Sequence, residues 1–241
     1  MTPELTDNRI LDALPASTLD AIRPFFGIQA IEARTVLQPA EVDITDCYFP
    51  LAGMASLLVT EASGKSVDTA IIGSEGFVGL PVFLGTGRMP VEAMVQLDME
   101  AAVIRAGDLR QSMRDEPPLA SLLQRYTQMV LVELARLVLC NRVHGLEERV
   151  ARWLLQVYDR VGGDVPLDIT HQFLSEMIGG ERPSTSLVVA HFAEQGLIET
   201  ARGTIAIVDA PGLEAAACDC YRTIRDELDR LLAQPAANEV G

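Results

Sequence analysis

Ile169-Thr-His-Gln-Phe-Leu-Ser-Glu-Met-Ile-Gly-Gly-Glu-Arg-Pro-Ser-Thr-Ser-Leu-Val-Val-Ala-His-Phe-Ala-Glu-Gln-Gly-Leu-Ile-Glu-Thr-Ala-Arg-Gly-Thr-Ile-Ala-Ile-Val208 places helix, turn and strand signals in an order that decides the fold. Thr170 can cap a helix by accepting from the free amides of its first turn, with Ile169 and Leu174 as a hydrophobic staple. Phe173, Leu174, Met177 and Ile178 share one face. Gly179-Gly180 stops that helix, because glycine takes the positive φ of a tight C-terminal turn without strain. Glu181-Arg182-Pro183 starts the next, with proline in a turn that needs no amide donor.

In the second helix Thr185, Val188, Val189 and Phe192 face inward at helical spacing, which leaves Arg182, Ser184, Ser186 and Leu187 outward. Two short helices joined by a few residues form a helix-turn-helix, whose second helix can lay its first turns against base edges in the DNA major groove. Leu197-Ile198 and Thr204 to Val208, closed by Arg202-Gly203, read as a two-stranded wing. Arg182 suits a bidentate contact to guanine, the serines suit phosphate or base edges, and Leu187 suits a thymine methyl. For each serine, helix capping is the competing reading. Thr170, His171 and Arg202 complete the expected DNA-facing set. A plain helical core can also contain such a helix pair, and the appended hairpin is what tilts the reading toward DNA.

Charge runs against that reading. The 241-residue chain carries a formal net charge of −15, and residues 142 to 210 hold ten acidic residues against six arginines. Phosphate neutralisation supplies most nonspecific affinity for DNA. The expected resolution is local, with Arg149, Arg152, Arg182 and Arg202 on one face, and it implies weak binding to random duplex. No apolar run approaches a membrane span, and the N-terminus lacks the basic flank and apolar block of a signal peptide, so a cytoplasmic protein is expected.

Cys47, Cys140, Cys218 and Cys220 are scattered without metal-ligand spacing, the last two lying two apart on one expected helix, where side chains diverge. The sequence therefore points to no disulfide framework, no metal site and no cofactor. A redox-sensing thiol remains open as the minor alternative to small core residues. His144, His171 and His191 form no acid–base cluster, and no zincin motif, nucleophile elbow or P-loop occurs, so no catalytic residue and no enzyme activity are expected.

Upstream, two short helices are expected at Asn8 to Leu14 and Ser17 to about Arg23. From Gln29 to Ile104 the texture is that of an antiparallel barrel: Ile31 to Leu37, Asp46 to Leu51, Met54 to Thr60, Ser66 to Ile72, Val91 to Leu97 and Ala101 to Ile104, with turns at 62–65, Gly73-Ser-Glu-Gly76 and Gly85-Thr-Gly87. Gly73 to Gly87 holds five of the eighteen glycines. A phosphate cradle there competes with plain strand turns, and the turns are preferred because neither a P-loop lysine nor a following dinucleotide helix is present.

A short helix, Ala106 to Met113, precedes the Glu116-Pro117-Pro118 break and a long helix from Leu119 to about Arg142. Leu119, Leu122, Tyr126, Met129, Glu133, Leu137 and Cys140 line one side, while Leu123, Val130, Leu131, Leu134 and Val138 widen the apolar surface beyond one barrel's needs. The second partner is expected to be the same helix of another chain, with burial inside a monomer as the alternative. His144-Gly145 is the expected hinge, Leu146 to Val161 the next helix, Val165 to Asp168 a short strand, Gly212 to Leu232 a last helix capped by Asp209, and Pro235 to Gly241 a frayed tail.

Barrel, long helix, hinge and winged helix in this order resemble the Crp-Fnr family of bacterial transcription regulators. The likeness rests on Tyr48-Phe-Pro-Leu51, Gly73-Ser-Glu-Gly-Phe-Val-Gly79, Leu146-Glu-Glu-Arg-Val-Ala-Arg-Trp-Leu154, and Phe173-Leu-Ser-Glu-Met-Ile-Gly179 through Arg182-Pro183-Ser184. It implies an α+β fold: an N-terminal antiparallel β-barrel of the cyclic-nucleotide-binding type (1–118), a dimerisation helix and hinge (119–144), and a C-terminal winged helix-turn-helix (145–241). It also implies a homodimer on double-stranded DNA, with RNA polymerase and a small-molecule effector as further partners.

By that likeness Arg182 matches the family's base-contacting arginine. Pro183 and Leu187 stand where classical members carry a glutamate and a second arginine, so their operator is not expected to transfer. The effector pocket implied by the likeness comprises Gly79, Leu80, Arg88, Met89, Pro90 and Tyr126. Gly79-Leu80-Pro81 lacks the ribose-binding carboxylate of cyclic-AMP binders, and Arg88-Met89-Pro90 lacks their phosphate-binding hydroxyl. Losing those hydrogen bonds costs about 1.5 to 3 kcal/mol, so tight cyclic AMP binding is not expected. The alternative function is a sensor or interaction module that has lost DNA binding.

Overall fold

The computed structural model describes residues 3–62, 66–163 and 166–233. The expected turn at 62–65 and strand at 165–168 lie partly outside these residues, and the expected frayed tail lies wholly outside. Two short helices, α1 (Arg9–Asp12) and α2 (Ala16–Ile22), come first. Asn8 caps α1 by accepting from the amides of Ile10 and Leu11. Ser17 does not cap α2: the helix begins one residue earlier, after Pro15, and no side chain caps it.

Strands β1 (Phe26–Ile31), β2 (Val36–Gln38), β3 (Asp46–Thr60), β4 (Ser66–Ile72) and β5 (Glu92–Arg105) form one antiparallel sheet in the order β1-β5-β3-β4, with β2 also on β5. The sequence breaks β3 and β5 into two strands each. In the fold each pair is continuous across irregularities, and the β3–β5 register shifts between Pro50 and Met54. Such shifts bend a strand without ending it, which lets long strands curl around a core. Gly53, at φ 76°, makes the bend possible, since a Cβ there would lie 2.1 Å from the Asp98 carbonyl oxygen. The first strand also falls earlier than Ile31 to Leu37, because the pairing of Phe26 with Ile104 sets its phase.

One turn of helix, α3 (Leu80–Phe83), interrupts the glycine-rich stretch. Helices α4 (Ala106–Asp115) and α5 (Pro117–Val143) follow, and α5 lays Leu119, Leu122, Leu123, Tyr126, Met129 and Val130 into the N-terminal core. His144 and Gly145 separate α5 from α6 (Leu146–Arg160). Gly145 takes an extended backbone, and its amide donates to Glu148 Oε2 at 2.7 Å, a capping contact that lets α6 start at once in a new direction.

Helices α7 (His171–Met177) and α8 (Arg182–Glu194), strands β6 (Ile198–Ala201) and β7 (Thr204–Ile207), and helices α9 (Ala210–Ala216) and α10 (Cys220–Ala233) complete the chain. The last expected helix is thus two, parted at 217–219. Helix α10 leaves the winged domain: its Ile224, Leu228 and Leu231 join the core formed by α1, α2 and α5, and Arg9 pairs with Asp229 at 2.6 Å. Trp153, Val189 and Phe192 anchor a second core, in which Met54 and Ile71 of the sheet also take part.

Candidate nucleic-acid interface and effector pocket

Thr170 Oγ1 accepts from the Phe173 amide at 3.1 Å and opens α7, with Ile169 and Leu174 both buried beside it. Gly179, at φ 63°, ends the helix in the left-handed region that a side chain would strain. Pro183 lies in the first turn of α8, and Thr185, Val189 and Phe192 turn inward. The two helices are locked at their N-terminal ends, where His171 Nδ1 and Ser186 Oγ lie 3.0 Å apart. Ser186 and His171 therefore hold each other, Thr170 is occupied as a cap, and Ser184 is half-buried. Arg182 is exposed and Leu187 is 73% exposed at the outer face of α8, and Arg202 is exposed in the turn between β6 and β7.

Arg149 and Arg152 do not join that face. Arg149 donates to the Ile178 carbonyl at 3.1 Å, which stitches α6 to the end of α7, and Arg152 is buried and donates to Gln156. Periodicity along α6 could not separate these two from a solvent-facing arginine pair, because Arg149's acceptor lies on another segment and the burial of Arg152 depends on how the helices pack. The positive face of the described residues thus rests on Arg182 and Arg202 in place of the expected four arginines. Arg182, Thr170 and Gly180 line a cleft whose opposite wall is Arg34, Ser66, Val67 and Met94 of the sheet. In this arrangement the start of α8 faces the barrel across a gap.

The second cavity, of about 410 Å³, lies between the sheet, α3 and α5. Gly79, Leu80, Met89 and Tyr126 line it, together with Leu57, Val59, Ile72, Phe77, Val130 and Leu134. Arg88 and Pro90 are not in its lining. Among the described residues no arginine lines it, and Glu133 is the single charged residue of its wall. The resemblance placed Arg88 at the site, but the turn at Gly85 and Gly87 leaves it outside the cavity's lining.

Glu133 belongs to a buried ion-pair node that the sequence did not reveal. Arg160 Nε is 2.8 Å from Glu75 Oε1, and Arg160 Nη2 is 3.1 Å from Glu133 Oε1. Arg160 Nε also donates to the Ile71 carbonyl at 3.1 Å. The Gly73–Gly76 turn is thus the seat of a cation from α6 and not a phosphate cradle: a Cβ on Gly73 would lie 2.6 Å from Arg160 Cβ. Nearby, burial and then the Glu133 charge push the Asp68 carboxyl up to about 7. Cys47 is isolated in the barrel core, where burial raises its thiol to about 12, so it is protonated and inert. The other three cysteines meet at a place of their own.

A curled antiparallel sheet, a long helix across its mouth and a winged helix-turn-helix make up the architecture of a DNA-binding regulator. Residues 148–216 match the Crp-like helix-turn-helix domain family. The transcriptional regulator SdrP of Thermus thermophilus is 24% identical over 175 residues, which cover 70% of this chain and 83% of that one. FixK2 from Bradyrhizobium japonicum has a similar structure, with a TM-score of 0.69 at 14% identity over 80% of this chain and 98% of its own. So does the c-di-GMP-responsive global regulator CLP of Xanthomonas campestris, at 0.65 and 17% over 80% and 99%. Residues 148–216 thus carry a Crp-like helix-turn-helix domain, and the chain as a whole is similar to transcription regulators of the Crp-Fnr type. Among the described residues, no helix is long and apolar enough to cross a membrane.

Proposed function

We propose that the protein works as a homodimer that reads a two-part operator through Arg182, with Leu187, Ser184 and Arg202 in support, under control of an apolar effector. The observation that carries the DNA reading is the exposed Arg182 at the first turn of a helix held rigidly against its neighbour by the His171–Ser186 contact. A guanidinium so placed can form two parallel hydrogen bonds to one guanine. With few other cations nearby, most affinity has to come from two half-sites bound together.

The reading of residues 1–118 as sensor, 119–144 as dimer helix and hinge, and 145–241 as DNA-binding unit is supported by α5, with the amendment that α10 packs back on the sensor core. On α5, Gln124, Gln128, Leu131, Ala135, Val138 and Arg142 are all exposed at alternating spacings of four and three. That is the seam of a two-stranded coiled coil, and Leu131 and Val138, 62% and 72% exposed, supply its apolar centre. The effector reading follows from the cavity beside that seam. Its apolar wall, with no cation for a phosphate among the described residues, favours an aliphatic or aromatic ligand over a cyclic nucleotide. The cleft between α8 and the sheet supports a resting form, from which the winged unit must turn about Gly145 to meet DNA.

A band shift with fragments of the source genome tests this. Specific retardation by the intact protein, lost at least tenfold in Arg182→Ala while sedimentation still shows a dimer, is the expected result. Retention of full specific binding in Arg182→Ala sinks it. Absence of any specific fragment favours the alternative of a sensor that has lost DNA binding, the reading that the acidic charge of residues 142 to 210 motivates.

A further inference from the structure

Three of the four cysteines and one histidine, up to 80 residues apart in the chain, converge on one point. Cys140 lies in the last turn of α5, and His144, its C-cap, follows four residues later on the same face. Cys218 sits in the short link before α10, and Cys220 is the first residue of that helix. The three sulfurs form a small buried cluster apart from the hydrophobic cores. The four donor atoms all lie within 4.8 Å of one another. Cys140 Sγ is 3.5 Å from Cys218 Sγ, and Cys220 Sγ is 3.7 Å from His144 Nδ1.

Those separations fit a tetrahedral metal site. Tetrahedral zinc with sulfur at about 2.3 Å and nitrogen at about 2.0 Å puts neighbouring donors about 3.5 to 3.8 Å apart, the edge lengths of the coordination tetrahedron. The Cys140–Cys218 and Cys220–His144 pairs already have that length, and side-chain rotation closes the wider ones. The surroundings fit a cation as well. His144 Nε2, the ring nitrogen turned away from the sulfurs, is 3.8 Å from Asp219 Oδ1, the carboxylate partner that orients a metal-bound imidazole. Arg152, a buried cation on α6, can offset the surplus negative charge of three thiolates around a divalent ion. The first amides of α10 add a positive helix end beside Cys220.

We propose that Cys140, His144, Cys218 and Cys220 bind one zinc ion in a closed, four-coordinate structural site. Binding releases the three thiol protons to solvent and leaves no position for water, so the ion supplies architecture and no catalysis. The site ties the end of α5, one residue before the Gly145 hinge, to the root of α10. Zinc thereby fixes the direction in which the chain leaves the long helix. Soft thiolates with one imidazole select zinc over magnesium or calcium, which prefer oxygen donors.

The test is metal titration of the full-length protein, purified under reducing conditions and stripped with a chelator. Cobalt(II) added to the stripped chain is expected to give the intense visible d–d bands and the sulfur-to-metal charge-transfer band of a tetrahedral thiolate site. They should saturate at about one ion per chain and be displaced by zinc. Cys218→Ser and His144→Gln are expected to weaken cobalt binding at least tenfold, with circular dichroism unchanged, while Cys47→Ser binds as the wild type. The proposal is overturned by a featureless titration of the folded wild type, by octahedral bands, by an iron chromophore that zinc does not displace, or by equal binding in the site variants and wild type. A Cys140–Cys218 disulfide that persists in the reduced preparation also overturns it. None of these readings depends on DNA binding, so the site and the regulatory reading fail separately.

Discussion

Arg160 Nε lies 2.8 Å from Glu75 Oε1, with the two side chains 6% and 5% exposed, and the same guanidinium reaches Glu133 Oε1 at 3.1 Å. One arginine of α6 thus neutralises a carboxylate in the Gly73–Gly76 turn and another on the long helix. A displacement of either carboxylate would pull directly on α6.

Arg160→Ala should destabilise the chain by roughly 3 to 5 kcal/mol, because it leaves two carboxylates buried without their cation. Chemical denaturation checks this. A loss under about 1 kcal/mol would show that water replaces the guanidinium and that the node is not closed.

Asp68 predicts a pH dependence. Its folded-state carboxyl, raised by burial and by Glu133 from 3.8 to about 7, favours the protonated form. The stability this group contributes is full below about 3.8 and is lost as pH rises through about 7, on the order of 4 kcal/mol in total. Asp68→Asn, which mimics the neutral acid, should flatten melting temperature over that window. A wild-type profile that rises toward neutral pH, and that the substitution leaves unchanged, would show that the carboxylate stays ionised.

Val138→Asp should shift the protein from dimer to monomer in multi-angle light scattering, since it sets like charges against each other across a twofold seam. A weakening of at least tenfold corresponds to about 1.4 kcal/mol. Its secondary structure should not change, because Val138 is 72% exposed in the single chain. An unchanged dimer locates the interface elsewhere.

The cavity at Gly79, Leu80 and Tyr126 should bind an apolar fluorescent probe, and cyclic AMP should not displace it. Val130→Trp, which fills the space from α5, should abolish the signal without unfolding the protein. Micromolar competition by cyclic AMP would show that Arg88 or another cation can reach the cavity.

Thr170→Ala should cost about 1 kcal/mol by removing the cap from α7. Hydrogen exchange at the amide of Phe173 is the local readout, and unchanged protection there would show that the cap is dispensable.

The sequence by itself determined the elements whose signals are local. Thr170, Gly179 and Pro183 state where two helices start and stop, Gly203 closes the wing at φ 81°, and Asp209 caps α9 by accepting from the Gly212 amide at 2.9 Å. Hydrophobic spacing likewise marked α5 as a helix with more apolar surface than one core can use. Tertiary structure alone decided the fate of the arginines. Arg149, Arg152 and Arg160 stand at ordinary helical positions: a carbonyl of α7's end claims Arg149, carboxylates from the Gly73–Gly76 turn and α5 claim Arg160, and packing buries Arg152. It alone decided that Cys140, His144, Cys218 and Cys220 are neighbours: residues 217–219 break the expected helix, so Cys218 and Cys220 can turn the same way, and packing of α10 on α5 brings them to the helix end. Spacing along a chain encodes contacts within one element, whereas burial and charge pairing between elements arise only when those elements meet.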